Sequence, residues 1–206
     1  MNRPKSIRQL IEALQKFPGV GPRSAQRMAE SIVKMDYETA REMARAIVRV
    51  KKSISPCSSC FVNTEQNPCE ICSDPERDHT FICVVEASED VIAMESSKSH
   101  NGLYHVLGGN MNVVKGIGPD KIRVKELLDR VRSGGIKEVL IATNPTLDGE
   151  TTASHIARQL TGMGIRVTRP ARGLPRGADL DYLDGETLSH AYKLRQTVDP
   201  EPEREI

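Results

Sequence analysis

The 206-residue sequence contains no tryptophan, and aromatic residues make up 3% of it. Its longest apolar runs, FICVV and VLIAT, fall far short of the roughly 20 residues that a membrane helix needs. The first ten residues, MNRPKSIRQL, lack the apolar core of a secretory signal, and no GxxxxGK[ST] loop for ATP occurs. These absences argue against a membrane protein, a secreted protein and a P-loop ATPase, so we expect a cytoplasmic protein.

Negative charge is scarce at the start of the chain but not in the rest of it. The formal net charge is +1, but residues 1–52 hold 12 Lys and Arg against 5 Asp and Glu, which leaves +7 at this end and −6 elsewhere. A positive segment attracts phosphate, although a basic helical face is often simply solvated. With so few aromatic rings for base stacking, any DNA binding should depend on phosphate contacts and be insensitive to sequence.

Four of the five cysteines form two C-x2-C pairs, CSSC and CEIC, separated by eight residues. This spacing lets four thiolates surround one tetrahedral zinc ion, and four sulfur ligands leave no open position, so the site should be structural. The predicted ligands are Cys57, Cys60, Cys69 and Cys72. Two disulfides or an iron–sulfur cluster are the alternatives, and disulfides fit the expected compartment badly. Cys83, inside FICVV, is predicted to be a small buried hydrophobe.

Hydrophobic periodicity divides the chain into segments of different character. The first segment has helical spacing throughout, and from Thr80 onward apolar runs alternate with helical patterns, which predicts a parallel sheet with helices on both faces. The fold class is therefore α/β, or α+β for the multidomain chain as a whole. The predicted regions are a helical unit at 1–53, a cysteine-rich insert at 54–76, the sheet domain at 79–172 and a C-terminal region with a helical stretch at 173–206.

The segment FPGVGPRSAQRMAE predicts a DNA contact. Gly19 and Gly21 permit a tight turn that opens onto a helix, whose first N–H groups can face a phosphate. Arg23 and Arg27 lie four residues apart on one helical face, so both can reach the same DNA backbone. The segment resembles a helix-hairpin-helix, a motif that binds DNA without sequence specificity. The alternative is a plain glycine turn between packed helices.

Three acidic residues are predicted to lie at one edge of the sheet. Glu86 ends the first strand, and Asp148 and Glu150 follow a later strand in the loop NPTLDGE. Sites in open α/β sheets gather at the carboxyl ends of strands, so these carboxylates could converge on magnesium. Acids at these positions also favour helix starts, so a capping role is the alternative.

The order of these motifs resembles the bacterial recombination mediator family RecR. The resemblance covers nearly the whole chain and is carried by FPGVGPRSAQRMA, the two C-x2-C pairs, VVEA, GIGPD, ATNPTLDGETTA and RGLPRGADLDYLDGETL. It implies that the sheet is a Toprim domain. It also implies a nucleoid-associated protein that assembles as a ring or clamp around DNA and works with RecO and RecF to load RecA on gapped or single-stranded DNA, without enzymatic activity.

The acidic loop departs from the pattern of catalytic Toprim enzymes, DPDREGE. Asn144 and Thr146 stand where that pattern has aspartates, and neutral oxygens hold magnesium less tightly than carboxylates do. Two-metal phosphoryl transfer therefore becomes doubtful, while weak magnesium binding or docking of a basic partner remains a prediction. The competing hypothesis is a metal-dependent Toprim nuclease or topoisomerase. The residues Asp181 to Glu186 are predicted to form a turn and a helix cap.

Overall fold

The computed structural model describes residues 3–171, 173–195 and 197. The chain divides into two compact units, and the division falls after Ser55. The last residue of the predicted sheet domain, 172, and most of the predicted C-terminal region beyond residue 195 lie outside the described residues.

The first unit contains three helices, α1 (Lys5–Leu14), α2 (Pro22–Lys34) and α3 (Tyr37–Ser53). Pro22 occupies the first turn of α2, where its missing N–H costs nothing. Asp36 caps α3, because its carboxylate accepts a 2.9 Å hydrogen bond from the backbone N–H of Thr39. The buried residues of α2 are Ala25 and Ala29, and these small side chains let α1 and α2 approach closely.

Helix α3 differs from α2 because none of its 17 residues is buried by the described part of the chain. Its apolar residues Met43, Ile47 and Val50 recur at spacings of four and three, and they are 44%, 59% and 57% exposed. An amphipathic helix normally buries such a stripe. The apolar stripe of α3 is therefore a surface without a partner among the described residues.

The second unit contains the cysteine-rich insert from Pro56 onward and a four-stranded sheet. The insert contains two short strands and a one-turn helix, namely β1 (Ser55–Pro56), β2 (Asn63–Thr64) and α4 (Glu70–Ser73). The sheet strands are β3 (Asp78–Val85), β4 (Gly102–Val106), β5 (Glu138–Ile141) and β6 (Arg166–Thr168). All pair in parallel, in the order β4-β3-β5-β6.

Helices lie on both faces of this sheet, as predicted. They are α5 (Ser88–Ser97), α6 (Val124–Arg132) and α7 (Leu147–Leu160), followed by α8 (Gly185–Lys193). Successive side chains of β3 point to opposite faces: Ile82 joins a core that contains residues of α6 and α7, whereas Cys83 joins a core that contains Val91 of α5. Cys83 is fully buried, as predicted from its apolar run.

The segment from Asp181 to Glu186 forms the predicted turn and cap. Leu180–Tyr182 is a short 3-10 helix, and Asp184 caps α8 by accepting a 2.9 Å hydrogen bond from the backbone N–H of Thr187. These backbone and side-chain hydrogen bonds from Thr187 hold the pKa of Asp184 below its ordinary value. Asp184 therefore has a local structural role.

Candidate functional site: a glycine turn, a thiol cluster and an acidic sheet edge

The glycine turn between α1 and α2 leaves backbone accessible at the start of α2. Gly19 has a φ of +78°, which side chains rarely adopt, and Gly21 is the residue that precedes the first turn of α2. No side chain caps this helix, so its first N–H groups remain available to a ligand. Arg23 and Arg27 are both exposed on α2, on the side away from the buried Ala25 and Ala29.

The four cysteines of the two C-x2-C pairs come together in the insert. Their sulfur atoms all lie within 4.8 Å of one another, and each cysteine is a free thiol rather than half of a disulfide. Cys57, Cys60 and Cys69 are buried and Cys72 is half-buried. The Sγ atoms of Cys60 and Cys69 are 3.5 Å apart. Such a compact set of thiols could hold a single metal ion.

Backbone hydrogen bonds prepare one of these thiols to ionise. Burial disfavours the Cys57 thiolate, but N–H groups of the insert outweigh it and lower the pKa of Cys57 to about 6. Two of these donors are the N–H groups of Cys69 and Ser59, at 3.3 and 3.4 Å from Sγ. Burial raises the pKa of Cys69 to about 11. Because thiolates are the metal-binding form, these hydrogen bonds favour metal binding by Cys57.

The insert is attached to the edge strand β4 of the sheet. The backbone N–H of Val106 donates to the carbonyl oxygen of Cys60 at 2.8 Å. Arg130 donates to two carbonyl oxygens, those of Tyr104 at 2.6 Å and Ser59 at 3.4 Å. The guanidinium of Arg123 lies 4.9 Å from the centre of the Phe61 ring, a cation–π distance. These contacts hold the insert against the edge of the sheet, beside the thiol cluster.

The predicted acidic residues all lie near the carboxyl edge of the sheet, but each has its own partner. Glu86 accepts two hydrogen bonds from Asn144, from the backbone N–H at 2.6 Å and from the side-chain amide at 2.8 Å. Asp148 accepts a 2.6 Å hydrogen bond from the amide of Asn112. Glu150 forms a bidentate ion pair with Arg169 at 2.6 and 3.0 Å.

This pairing distinguishes the acidic edge from the thiol cluster. Among the residues that the structure describes, the four cysteines are the one group of three or more His, Cys, Asp or Glu side chains that could share an ion. Glu86, Asp148 and Glu150 are not such a group, so magnesium at this edge stays a prediction. Hydrogen bonds to Asn144, Asn112 and Arg169 occupy these carboxylates instead.

Two of these partners, Asn112 and Arg169, were not predicted as site residues. Asn112 lies in the segment after β4 and Arg169 follows β6, so both are distant in sequence from the acids that they contact. Gly149 was also missed, although a Cβ atom there would lie 2.1 Å from the carbonyl oxygen of Asn144. The sequence marked Asn144 as a neutral replacement, but it did not reveal that Asn144 binds Glu86.

Comparison with known proteins gives the family of the chain. Three protein-family models match along its length. They are described as "RecR, helix-hairpin-helix" at residues 7–51, "Toprim domain" at residues 80–171 and "RecR, C-terminal" at residues 173–196.

None of the helices in the described part of the chain combines the length and apolar character that a membrane span requires.

Curated relatives agree over nearly full length. The chain is 49% identical to the recombination protein RecR of Paenarthrobacter aurescens, over 94% of this chain and 97% of the relative. Identity is 46% to the RecR of Moorella thermoacetica, over 97% of this chain and all of the relative. Identity is 44% to the RecR of Desulforudis audaxviator, over 96% of this chain and all of the relative. The chain therefore belongs to the RecR family of recombination proteins.

Proposed function

We propose that this protein is a non-enzymatic, DNA-binding recombination mediator that acts with RecO and RecF to promote RecA loading on gapped or single-stranded DNA. It acts in the cytoplasm, in association with the nucleoid. The observation that carries the proposal is the exposed Gly19–Gly21 turn, which opens α2 next to the exposed cations Arg23 and Arg27. This arrangement offers backbone N–H groups and two positive charges to the same phosphate chain.

The test of DNA binding removes both cations from α2. The double variant Arg23→Ala, Arg27→Ala should bind a fluorescent DNA duplex more weakly than the parent, with a smaller dependence on salt. A matched variant, Lys16→Ala and Lys34→Ala, loses the same charge from two other exposed positions of this unit. Equal affinity of the parent and the Arg23, Arg27 variant at moderate salt would exclude this site.

The proposed ion in the thiol cluster is zinc, in a structural role. Four sulfur donors within 4.8 Å of one another match the preference of zinc for tetrahedral thiolate sites. The ion would be held by Cys57, Cys60, Cys69 and Cys72, and it would supply folding free energy to an insert with little core of its own. Four protein ligands leave no position for a reacting water, which agrees with a role outside catalysis.

The absence of catalysis is supported by the partners of the acidic residues. A metal-dependent nuclease or topoisomerase would need carboxylates that converge on an ion, whereas Glu86, Asp148 and Glu150 each bind a separate neutral or cationic group. The purified protein should leave supercoiled plasmid intact with magnesium or manganese. Metal-dependent nicking or relaxation that disappears in a Glu86→Gln variant would establish the enzymatic alternative.

The acidic edge is instead proposed as a docking surface for a basic partner, with RecO and RecF as the candidates. Its three acidic residues are half-buried, and they belong to a part of the chain that is acidic overall. A Glu150→Arg variant should lose affinity for at least one of these proteins. The variant Glu138→Arg, which changes another ion-paired glutamate of the sheet, serves as the control. Unchanged affinity of the Glu150 variant for both proteins would exclude docking through Glu150.

We further propose a homo-oligomer that forms a ring or clamp. The exposed apolar stripe of α3, formed by Met43, Ile47 and Val50, supports this assembly because such a surface is stable when a second copy covers it. Several copies would bring several basic units to one DNA molecule. Avidity would then compensate for weak individual phosphate contacts.

A further inference from the structure

A row of four cations runs along α3, outside the glycine turn and the apolar stripe. Arg41, Arg45, Arg49 and Lys52 are separated by four, four and three residues, and we call them the basic stripe. At 3.6 residues per turn they fall within an arc of about 80° of the helix surface. With a rise of 1.5 Å per residue, the stripe is about 16 Å long.

The basic stripe is exposed and only partly neutralised. All four side chains are exposed, and Arg41 pairs with Glu38. Arg45, Arg49 and Lys52 form no ion pair with any residue in the described ranges. Like charges at i, i+4 repel and destabilise an isolated helix. A bound polyanion would turn this unfavourable arrangement into a favourable one.

The surroundings of the basic stripe suit an elongated anion. The four cations line a shallow surface groove of about 630 Å³, and the small apolar side chains Ala44 and Val48 form part of its wall. Short side chains between long cations let a backbone chain lie close to the helix while the cations reach its charged groups. The groove is open to solvent, and no carboxylate lines it.

We propose that the basic stripe is a second DNA-binding surface, which contacts the phosphate backbone of a duplex in addition to the contacts of Arg23 and Arg27. The proposal rests on the DNA-binding function proposed above. Duplex DNA presents about one negative charge per 1.7 Å of its axis. A stripe about 16 Å long, with evenly repeated cations, therefore faces a continuous row of phosphates and needs no particular base sequence.

The test replaces the three unpaired cations in the full-length protein. The triple variant Arg45→Gln, Arg49→Gln, Lys52→Gln should bind a fluorescent duplex about tenfold more weakly at low salt, measured by fluorescence anisotropy. Each lost phosphate contact removes about 0.9 from the slope of log affinity against log salt, so the slope should fall by about 2 to 3. A variant with Arg45→Lys and Arg49→Lys keeps the charge and should keep the slope of the parent.

A charge-matched control separates the stripe from general attraction. The triple variant Lys16→Gln, Lys34→Gln, Lys51→Gln removes the same charge from exposed positions of the same unit and should change the slope much less. Equal losses in both triple variants would overturn the proposal. A stripe variant with the same salt slope as the parent would also overturn the proposal. This holds even if that variant no longer binds an acidic protein.

The same assay distinguishes failure of this inference from failure of the proposed function. If the parent protein does not bind DNA, both the proposed function and the role of the basic stripe are wrong. If DNA binding is lost only in the Arg23, Arg27 variant, only the role of the basic stripe is wrong. Circular dichroism and solution mass establish that each variant keeps its fold and assembly. If the triple variant does not fold, Arg49→Gln alone should lower the slope by about 0.9, and an unchanged slope would overturn the proposal.

Discussion

At the scale of single residues, Asn144 fixes the loop before α7, and the first turn of α7 carries Asp148 and Glu150. The backbone and side-chain N–H groups of Asn144 both donate to Glu86. An Asn144→Asp change removes the side-chain donor and places a second carboxylate beside the first. We expect the free energy of unfolding to fall by about 1–3 kcal/mol, measured by urea denaturation at neutral pH.

The reciprocal change provides the control for this prediction. In the double variant Glu86→Gln, Asn144→Asp, the glutamine amide can donate to the new aspartate while its oxygen still accepts from the backbone N–H. Stability should therefore recover relative to Asn144→Asp alone. A double variant that is less stable than both single variants would show that the Glu86 to Asn144 pair does not fix the loop.

Gly149 is needed because α7 begins very close to the preceding loop. A Cβ atom at this position would lie 2.1 Å from the carbonyl oxygen of Asn144 and 3.1 Å from Oε1 of Glu86. Gly149→Ala should destabilise the protein by about 1–3 kcal/mol in a thermal or urea unfolding experiment, because backbone must move. Gly185→Ala, at the start of α8, is the matched control: no atom lies within 4 Å of its Cβ position, so stability should hold or rise.

Because of His105, we expect the protein to lose stability as the pH falls below neutral. His105 is fully buried, its Nε2–H donates to the carbonyl oxygen of Arg123 at 2.8 Å, and Nδ1 has no partner among the described residues. Burial lowers the pKa of His105 to about 4. Above its ordinary pKa of 6.5 the histidine is neutral in both states. As pH falls from 6.5 towards 4, only the unfolded state gains the proton, so the native state loses relative stability.

Protonation of this histidine in the unfolded state should lower the free energy of unfolding by about 2 kcal/mol between pH 7 and pH 5. Urea unfolding of the parent and of His105→Leu at both pH values measures it, because other titrating groups, including His100, contribute equally to the two proteins. The variant should have the smaller pH dependence. Identical pH dependence in the two proteins would mean that His105 takes up its proton in the native state.

At the scale of elements, we expect the thiol cluster to determine whether the insert can cover β4. The backbone contacts of Cys60 and Ser59 attach this loop to Val106 and Arg130, and the cluster holds the loop in shape. We expect about one zinc per chain in the purified protein. Cys60→Ser should lower that content and increase hydrogen exchange of the insert and of β4, without changing exchange in α1 and α2.

The remaining cysteine supplies the control for metal binding. Cys83 is buried in the sheet, outside the thiol cluster, so Cys83→Ala should retain the zinc content of the parent. Full zinc content in Cys60→Ser, or the same loss in Cys83→Ala, would contradict the proposed ligand set. Zinc analysis with hydrogen exchange by mass spectrometry measures both quantities on the same samples.

At the scale of the whole molecule, the proposed assembly rests on the exposed apolar stripe of α3. If a second copy covers Met43, Ile47 and Val50, the solution mass should exceed that of one 22.8 kDa chain. Introducing charge with Met43→Glu and Ile47→Glu should reduce that mass, because buried charges without partners are unfavourable. Sedimentation equilibrium provides the measurement.

Ile92 offers a control position for assembly. It is 66% exposed on α5, outside α3, and Ile92→Glu should leave the solution mass unchanged. A parent protein that sediments as a single chain would exclude the homo-oligomer. If only Ile92→Glu dissociates the protein, the assembly surface lies on the second unit rather than on α3.

The sequence by itself determined most of the fold. Hydrophobic periodicity is a local property, so it indicated the helices of the first segment, the alternation of strands and helices, and the burial of Cys83. The two C-x2-C pairs likewise grouped Cys57, Cys60, Cys69 and Cys72, because short spacings limit where thiols can lie. Membership of the RecR family was also recognisable from motifs in the chain.

The tertiary structure alone decided which partner each acidic side chain has. Glu86 meets Asn144 across 58 residues of sequence, and Asp148 meets Asn112 across 36. Parallel strands bring such residues to one edge of the sheet, but no local pattern encodes which amide faces which carboxylate. The sequence placed the three acids at one edge. Only the packed sheet showed that each acid has a hydrogen-bond or ion-pair partner of its own and that the three do not form one cluster.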